Sequence, residues 1–528
     1  MLPIHKSAWL LVLLSAALQI VIFPLPNLYM LCWVAVTPLL IAILRARQPQ
    51  TLQLRAGIKL LPARPLQAFF LSYACGILWY AGTCYWIYSV MHQYGGVNTP
   101  AGIGILILFC LYLAIYHGVF GLLVSLLAGS SPFNRRALLL SPIVWVAVEL
   151  GRTRITGFPW GLLGTTQVDN IPLSRIASVT GVYGLSFEIM LVNAAFAAAF
   201  LVQREKRKRL LLATVAAALI LQAGSLVPVP ASPADHYAIL VQADVPILEG
   251  SDWTRPYFTQ TLRDLTEISL DSHGSPSHPD LIVWPENPAP FYNTDPLFRE
   301  AVSNVARQSN AWLLAGSIGI RNGGATPEQP TEIYNSASLV SPTGDWVSRY
   351  DKVHLVPFGE YVPFKSIFSF AGGLTKEVGD FSRGTVRAPL DAGGAKLGVF
   401  ICYESIFPGE IRQFASNRAQ VLVNISNDGW YGDSGAYAQH LKQSRMRAVE
   451  NNRWLLLDTN TGVTAAIDPN GRIVASAPRK TRTALQAAYA LSNTTTFYTR
   501  HGDWFAYLCA IISIAALSIR LFMRSEKT

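Results

Sequence analysis

The chain is 528 residues long, 51% hydrophobic and 14% charged, with a formal net charge of +10. A wholly soluble domain of this size would carry nearer a quarter charged residues, so the composition excludes one. The basic residues sit beside apolar blocks, which points to membrane topology and away from nucleic acid.

A spanning helix needs about 20 mostly apolar residues. In chain order the candidates are 9–23, 28–44, 67–89, 102–127, 138–150, 184–202, 210–227 and 504–522. The first and the fifth are short, and the fifth also reads as a buried or re-entrant helix. No small-residue cleavage site follows the first, so it reads as an uncleaved helix and not as a signal peptide. With eight helices, Lys6, the Arg45–Arg64 cluster, Arg135 and Arg136, "REKRKR" at 204–209, and Arg520, Arg524 and Lys527 fall on one side. Arg152, Arg154 and Arg175 fall on the other. This bias predicts both termini in the cytoplasm and residues from about Pro228 to Asp503 outside it. The expected organisation is a membrane domain at 1–227 with about seven helices, an extracytoplasmic domain at 228–503, and a last helix and tail at 504–528. The proline-rich linker "PVPASPAD" opens the second of these.

From "HYAILVQADV" at 236–245 the texture changes. Short apolar runs follow: "DLIVWPE", "AWLLAGSIG", "SASLVSPTG", "KLGVFICYE", "AQVLVNISN" and "RWLLLDTNTG". Amphipathic stretches such as "PLFREAVSNVARQ" and "AQHLKQSRMRAVENN" lie between them. That alternation predicts an α/β layered domain whose central strands are continuous apolar runs. Three stretches deliver unusual residues at their ends: Glu286, then Lys352 with Glu360 after it, then Cys402 with Tyr403 and Glu404. Ligands of open α/β sheets bind beyond the carboxyl ends of strands, where these groups would converge. Each also has an ordinary structural reading, as a solvated acid, a surface lysine and a small buried thiol. Cys402 stands apart, because Cys32, Cys75, Cys84, Cys110 and Cys509 all fall in expected membrane helices. An unpaired thiol in an oxidising exterior calls for a function.

These stretches resemble the signature of the nitrilase (carbon-nitrogen hydrolase) superfamily, as do "SNDGWYG" at 426–432 and "NTG" at 460–462. "WIYSVMHQYGG", "GFPWGLLGTTQ" and "GVYGLSFEIMLVN" resemble the bacterial apolipoprotein N-acyltransferases. The resemblance implies an αββα catalytic domain on the periplasmic side of the inner membrane, with Glu286, Lys352 and Cys402 as its triad. It also implies a fatty acyl transfer from a phospholipid, commonly phosphatidylethanolamine, to the α-amino group of a diacylglyceryl-modified N-terminal cysteine on an apolipoprotein. Cys402 would form a thioester, Glu286 would act as general base, and Lys352 would stabilise the oxyanion with the N–H after Cys402. Glu360, Tyr403 and Glu404 are the supporting candidates, with helix or turn capping as the alternative for the two acids. Trp253, Trp430, Phe358, Phe368 and Phe370 are the candidate substrate contacts. The stretch 362–384, with Phe364, Ile367, Phe368, Phe370 and Leu374 and the glycine pair Gly372–Gly373, reads as a lid or as an ordinary core segment. Asp244, Asp252 and Leu457 depart from the family pattern on the rim of the site.

His354 and His440 lack metal-ligand spacing, so no metal is expected; no cofactor and no nucleic acid are implied, and the enzyme is expected to work as a monomer within membrane lipid. Two other functions remain to be separated from acyl transfer. A membrane-anchored amidase would use the same triad but needs at most one anchor. A transporter would place ionisable groups within its spans, where only Glu149 and Glu188 occur, each near an end.

Overall fold

The computed structural model describes residues 4–48, 60–128, 133–248, 253–271, 278–321, 331–361 and 381–525. Its contacts divide the chain into two units: Met1–Tyr88 with Pro100–Val229 and His501–Thr528, and Ser89–Thr99 with Pro230–Arg500.

The first unit is helical. Among the described residues, four of its helices are long and apolar enough to cross a membrane: Thr99–Ala128, Val182–Leu201, Arg204–Leu226 and Trp504–Met523. Lys6–Val21 and Tyr29–Leu44 are apolar but shorter. The expected segments at 67–89 and 138–150 correspond to Pro65–Thr83, followed by the separate helix Trp86–Gln93, and to Arg135–Gly151.

The stretch 28–44, expected as one helix, is broken into a 3₁₀ turn at Tyr29–Leu31 and helices at Cys32–Ala35 and Thr37–Leu44. Pro38 sits in the first turn of the last piece and has no N–H to continue the ladder. Asn193 takes over the backbone groups at the break. Its Oδ1 accepts the N–H groups of Val36 and Thr37, each at 2.8 Å, and its Nδ2 donates to the Cys32 carbonyl at 2.8 Å.

Among the described residues, the strands of the second unit form two six-stranded mixed sheets. Its strands are β1 (His236–Gln242), β2 (Leu281–Val283), β3 (Trp312–Arg321), β4 (Glu332–Val340), β5 (Trp346–Asp351), β6 (Leu390–Ala392), β7 (Ala395–Ile401), β8 (Val421–Ser426), β9 (Leu455–Thr459), β10 (Ala465–Ile467), β11 (Ile473–Ser476) and β12 (Thr483–Tyr489). The orders are β12-β1-β2-β3-β4-β5 and β11-β10-β9-β8-β7-β6. In each sheet a parallel trio (β1, β2, β3 and β7, β8, β9) is flanked by antiparallel strands. The trios are the continuous apolar runs of the sequence, as strands covered on both faces must be.

The sheets face each other, β1 against β9 and β4 against β7, with helices outside. Helices Arg255–Asp271 and Pro296–Ser309 cover the first sheet and helices Pro408–Ser416 and Ala436–Asn451 the second. The helix Pro296–Ser309 shows the local logic. Asp295 caps it by accepting from Leu297 and Phe298, Pro296 fills its first position, and Asn310 ends it with φ of 49°. Its apolar face, through Phe298, Val302 and Val305, joins Val241, Trp284, Phe291 and Leu313 in the core. Each such side chain contributes about 1.5–3 kcal/mol by leaving water.

Candidate active site

Glu286 follows the short strand β2 at a sharp exit. Pro285 cannot extend the ladder, and Gly316 on β3 lets the turn pass close by. A methyl group at Gly316 would collide with the carbonyl oxygen of Pro285 and crowd the Cα of Glu286. The side chain is then fixed from three directions. Its Oε1 accepts from Lys352 Nζ at 3.1 Å and from Asn335 Nδ2 at 2.7 Å, and its Oε2 accepts from the backbone of Asn427 at 2.9 Å.

Lys352 stands just beyond β5 and is 1% exposed. Its backbone N–H donates to Asn335 and its carbonyl accepts from Gly384, so the main chain is held on both sides. Besides Glu286, the ammonium donates to Glu360 Oε1 at 2.9 Å. Burial opposes this charge, but the carboxylates of Glu286 and Glu360 outweigh it and hold the lysine well above its ordinary pKa. Lys352 is therefore a fixed cation and cannot act as a base near neutral pH. Asn335 donates to both carboxylates, at 2.7 and 2.6 Å, and its own Oδ1 accepts from Asn287.

Cys402 ends the apolar run of β7 and opens the short turn Cys402–Ile406. It is buried, and its φ of +51° lies in the left-handed region that L-residues avoid. Burial, then the negative charge of Glu286, push its thiol well above the ordinary cysteine range, while Lys352 pulls the other way. At neutral pH the resting group is a thiol.

The sequence-derived supporting residues divide by role. Glu360 touches the site through Lys352, and its second oxygen accepts the Val356 N–H at 2.8 Å. Glu404 instead clamps main chain. It accepts from the backbones of Val353, His354 and Ile401 at 2.8, 2.9 and 2.7 Å, and from the Tyr350 hydroxyl at 2.9 Å. Glu404 thus ties the loop behind Lys352 to the turn that carries Cys402. Tyr403 packs edge-on against Phe407, with ring centroids 5.3 Å apart.

The candidate substrate contacts are more scattered. Trp253 packs against Tyr257 beside the first sheet's core. Trp430 meets the ring of Tyr94 edge-on at 5.2 Å, and the Tyr94 hydroxyl donates to the Gly429 carbonyl. Phe358 is half-buried with φ of 63°. Phe368 and Phe370, the rest of the expected lid through residue 380, and Asp252 lie outside the described residues.

Sequence reading missed Asn335, although an amide inside the run "IYNSASLV" is a legible oddity. It also gave no individual role to Asn427 and Asn460. Asn460 Nδ2 donates to Val245 O and Asn427 Oδ1, while its own Oδ1 accepts the Val245 N–H. Asn460 joins the end of β1 to the loop that binds Glu286. Leu457 is buried within β9, and Asp244 adopts φ of 50° and donates its N–H to the Asn460 carbonyl. Among the described residues no group of three or more His, Cys, Asp or Glu side chains is arranged to hold a metal.

Two family models match the chain, one described as carbon-nitrogen hydrolase over residues 252–498 and one as apolipoprotein N-acyltransferase N-terminal domain over residues 15–195. A relative from Geobacter metallireducens, an apolipoprotein N-acyltransferase, is 35% identical across 98% of this chain and 96% of its own length. One of the same description from Methylococcus capsulatus is 33% identical across 85% of this chain and 87% of its own. Among solved structures, a carbon-nitrogen hydrolase from Helicobacter pylori is similar at 19% identity and a TM-score of 0.35, covering 48% of this chain and 88% of that one.

Proposed function

The chain belongs to the apolipoprotein N-acyltransferase family, and from that premise we infer that it moves a fatty acyl chain from a phospholipid to the N-terminal diacylglyceryl-cysteine amine of an apolipoprotein. It is an acyltransferase, and this step completes lipoprotein maturation. The observation that supports the proposed mechanism is the buried Lys352 ammonium, 3.1 Å from Glu286 Oε1 and 2.9 Å from Glu360 Oε1, in the same site as the buried thiol of Cys402, on which Glu286 and Lys352 act in opposite directions.

The protonation states assign the roles. Because Cys402 rests as a thiol, attack requires a base, and Lys352 keeps its proton; Glu286 takes the proton as sulfur adds to the ester carbonyl. The oxygen becomes an anion facing the Lys352 ammonium and the Tyr403 N–H, each such donor being worth about 3–4 kcal/mol. Collapse breaks the ester C–O bond, the lysophospholipid oxygen recovers the proton from Glu286, and a thioester remains. The apolipoprotein amine then attacks the thioester, Glu286 accepts its proton, and the sulfur leaves to regain that proton. Both substrates carry long chains, and exposing each CH₂ to water costs about 0.8 kcal/mol, which suits an enzyme anchored in lipid.

The finer reading follows the charge bias of the loops. The catalytic domain, 228–503, is periplasmic, the membrane is the bacterial inner membrane, and both termini are cytoplasmic. The donor is phosphatidylethanolamine and the enzyme acts as a monomer. An amide in place of the phospholipid ester, with water in place of the amine, would make the chain a membrane-anchored amidase that hydrolyses a C–N bond, a reading disfavoured by the N-terminal family match over residues 15–195.

The test is transfer from phosphatidylethanolamine with a labelled acyl chain to a synthetic diacylglyceryl lipopeptide. The expected product is the triacylated peptide, absent with Cys402→Ser. Label recovered only as free fatty acid would overturn the assignment in favour of hydrolysis.

A further inference from the structure

His440 has no part in the mechanism above, yet it is 0% exposed and reaches the nucleophile's own main chain. It lies on the helix Ala436–Asn451, in which 13 of the 16 residues are buried, Lys442, Arg445, Arg447 and Glu450 among them. The histidine Nε2 lies 3.1 Å from the carbonyl oxygen of Cys402. A carbonyl only accepts, so Nε2 carries a proton. Across the ring, Nδ1 is 3.3 Å from Asp428 Oδ1, which also accepts the Ser426 hydroxyl at 2.6 Å. Burial works against a charged imidazole, but Asp428 outweighs it, with the Cys402 carbonyl and Glu286 acting in the same direction.

A peptide group is planar. Fixing the carbonyl of Cys402 therefore also fixes the direction of the N–H of Tyr403, the second donor assigned to the oxyanion. That plane begins at a residue whose φ of +51° is intrinsically disfavoured, so it needs an external hold. We propose that His440, braced by Asp428 and Ser426, is a positioning residue that orients the Cys402–Tyr403 peptide plane and so aims the Tyr403 N–H at the developing oxyanion. It touches neither substrate nor the sulfur in this role. The inference rests on Cys402 being the nucleophile.

The test uses the full-length enzyme in detergent micelles with phosphatidylethanolamine and a synthetic diacylglyceryl lipopeptide. His440→Leu removes the bond, His440→Gln returns an N–H near the position of Nε2, and Asp428→Asn removes the brace's charge. Loss of one oxyanion donor typically costs about 100-fold or more in turnover. His440→Leu is expected to lower kcat by about that factor with KM within about threefold. His440→Gln should recover at least about a tenth of wild-type kcat, and Asp428→Asn should fall between the two. A kcat for His440→Leu within about threefold of wild type, a loss confined to KM, or a glutamine variant no better than leucine would overturn the proposal. Should the leucine variant fail to fold, the remaining pair decides. Glutamine faster than Asp428→Asn supports the brace, and equal rates overturn it. Full activity in Cys402→Ala would instead refute the nucleophile itself, a separate failure.

Discussion

Both units bury polar side chains, but they employ them differently. In the helical unit Asn193 spends its amide on the backbone, bonding to Val36, Thr37, Cys32 and Ile189. Glu149 likewise accepts the Leu163 N–H at 2.8 Å. In the α/β unit Glu286, Lys352, Glu360 and Asn335 bond mainly to one another, around a thiol. A polar group that satisfies backbone stabilises an irregular chain path and has little left for chemistry. Ionised groups held against each other out of water keep strong fields that act on whatever enters. Loss should accordingly be read in stability for the first kind and in rate for the second.

The largest expected effect is that of Cys402→Ala, which should lower acyl transfer by at least about 10⁴-fold with little change in melting temperature. Lys352→Met comes next and blurs the contrast in an informative way. It should cost about 10²–10³-fold in kcat. It also leaves two buried carboxylates facing each other, so stability should fall by up to about 3–5 kcal/mol, read by thermal denaturation. An unchanged rate in that variant would remove the ammonium from the mechanism.

Asn193→Leu tests the other side. Two stranded N–H groups, at Val36 and Thr37, should cost about 1–3 kcal/mol each, while kcat per folded molecule stays within about twofold. A large drop in kcat at full stability would break the distinction between the units. The smallest effect concerns thiol titration. Glu286 raises the Cys402 pKa, so Glu286→Gln should shift the pH midpoint of Cys402 alkylation downward even as it abolishes transfer. In the wild type that midpoint should lie above about 8.5, the ordinary thiol value. An upward shift in Glu286→Gln would contradict the electrostatic reading.

What the sequence disclosed follows the same division. Glu286 and Cys402 were legible because each ends a buried apolar strand and breaks its pattern. The helix Ala436–Asn451 was legible as a helix, but its burial was not, since charged residues ordinarily mark a solvated face. Asn335 and His440 stayed hidden because their importance lies in partners 49 and 38 residues away in the chain. The break in 28–44 was invisible for the same reason. Hydropathy sees 17 apolar-rich residues there and cannot see Asn193 arriving from another helix.

The most direct measurement is peptide-resolved mass spectrometry after exposure of the enzyme to phosphatidylethanolamine alone. One fatty acyl group should appear on the peptide carrying Cys402, as a thioester cleaved by hydroxylamine and discharged when a diacylglyceryl lipopeptide is added. An acyl group on any other residue, or transfer that proceeds while Cys402 stays unmodified under single-turnover conditions, would contradict it.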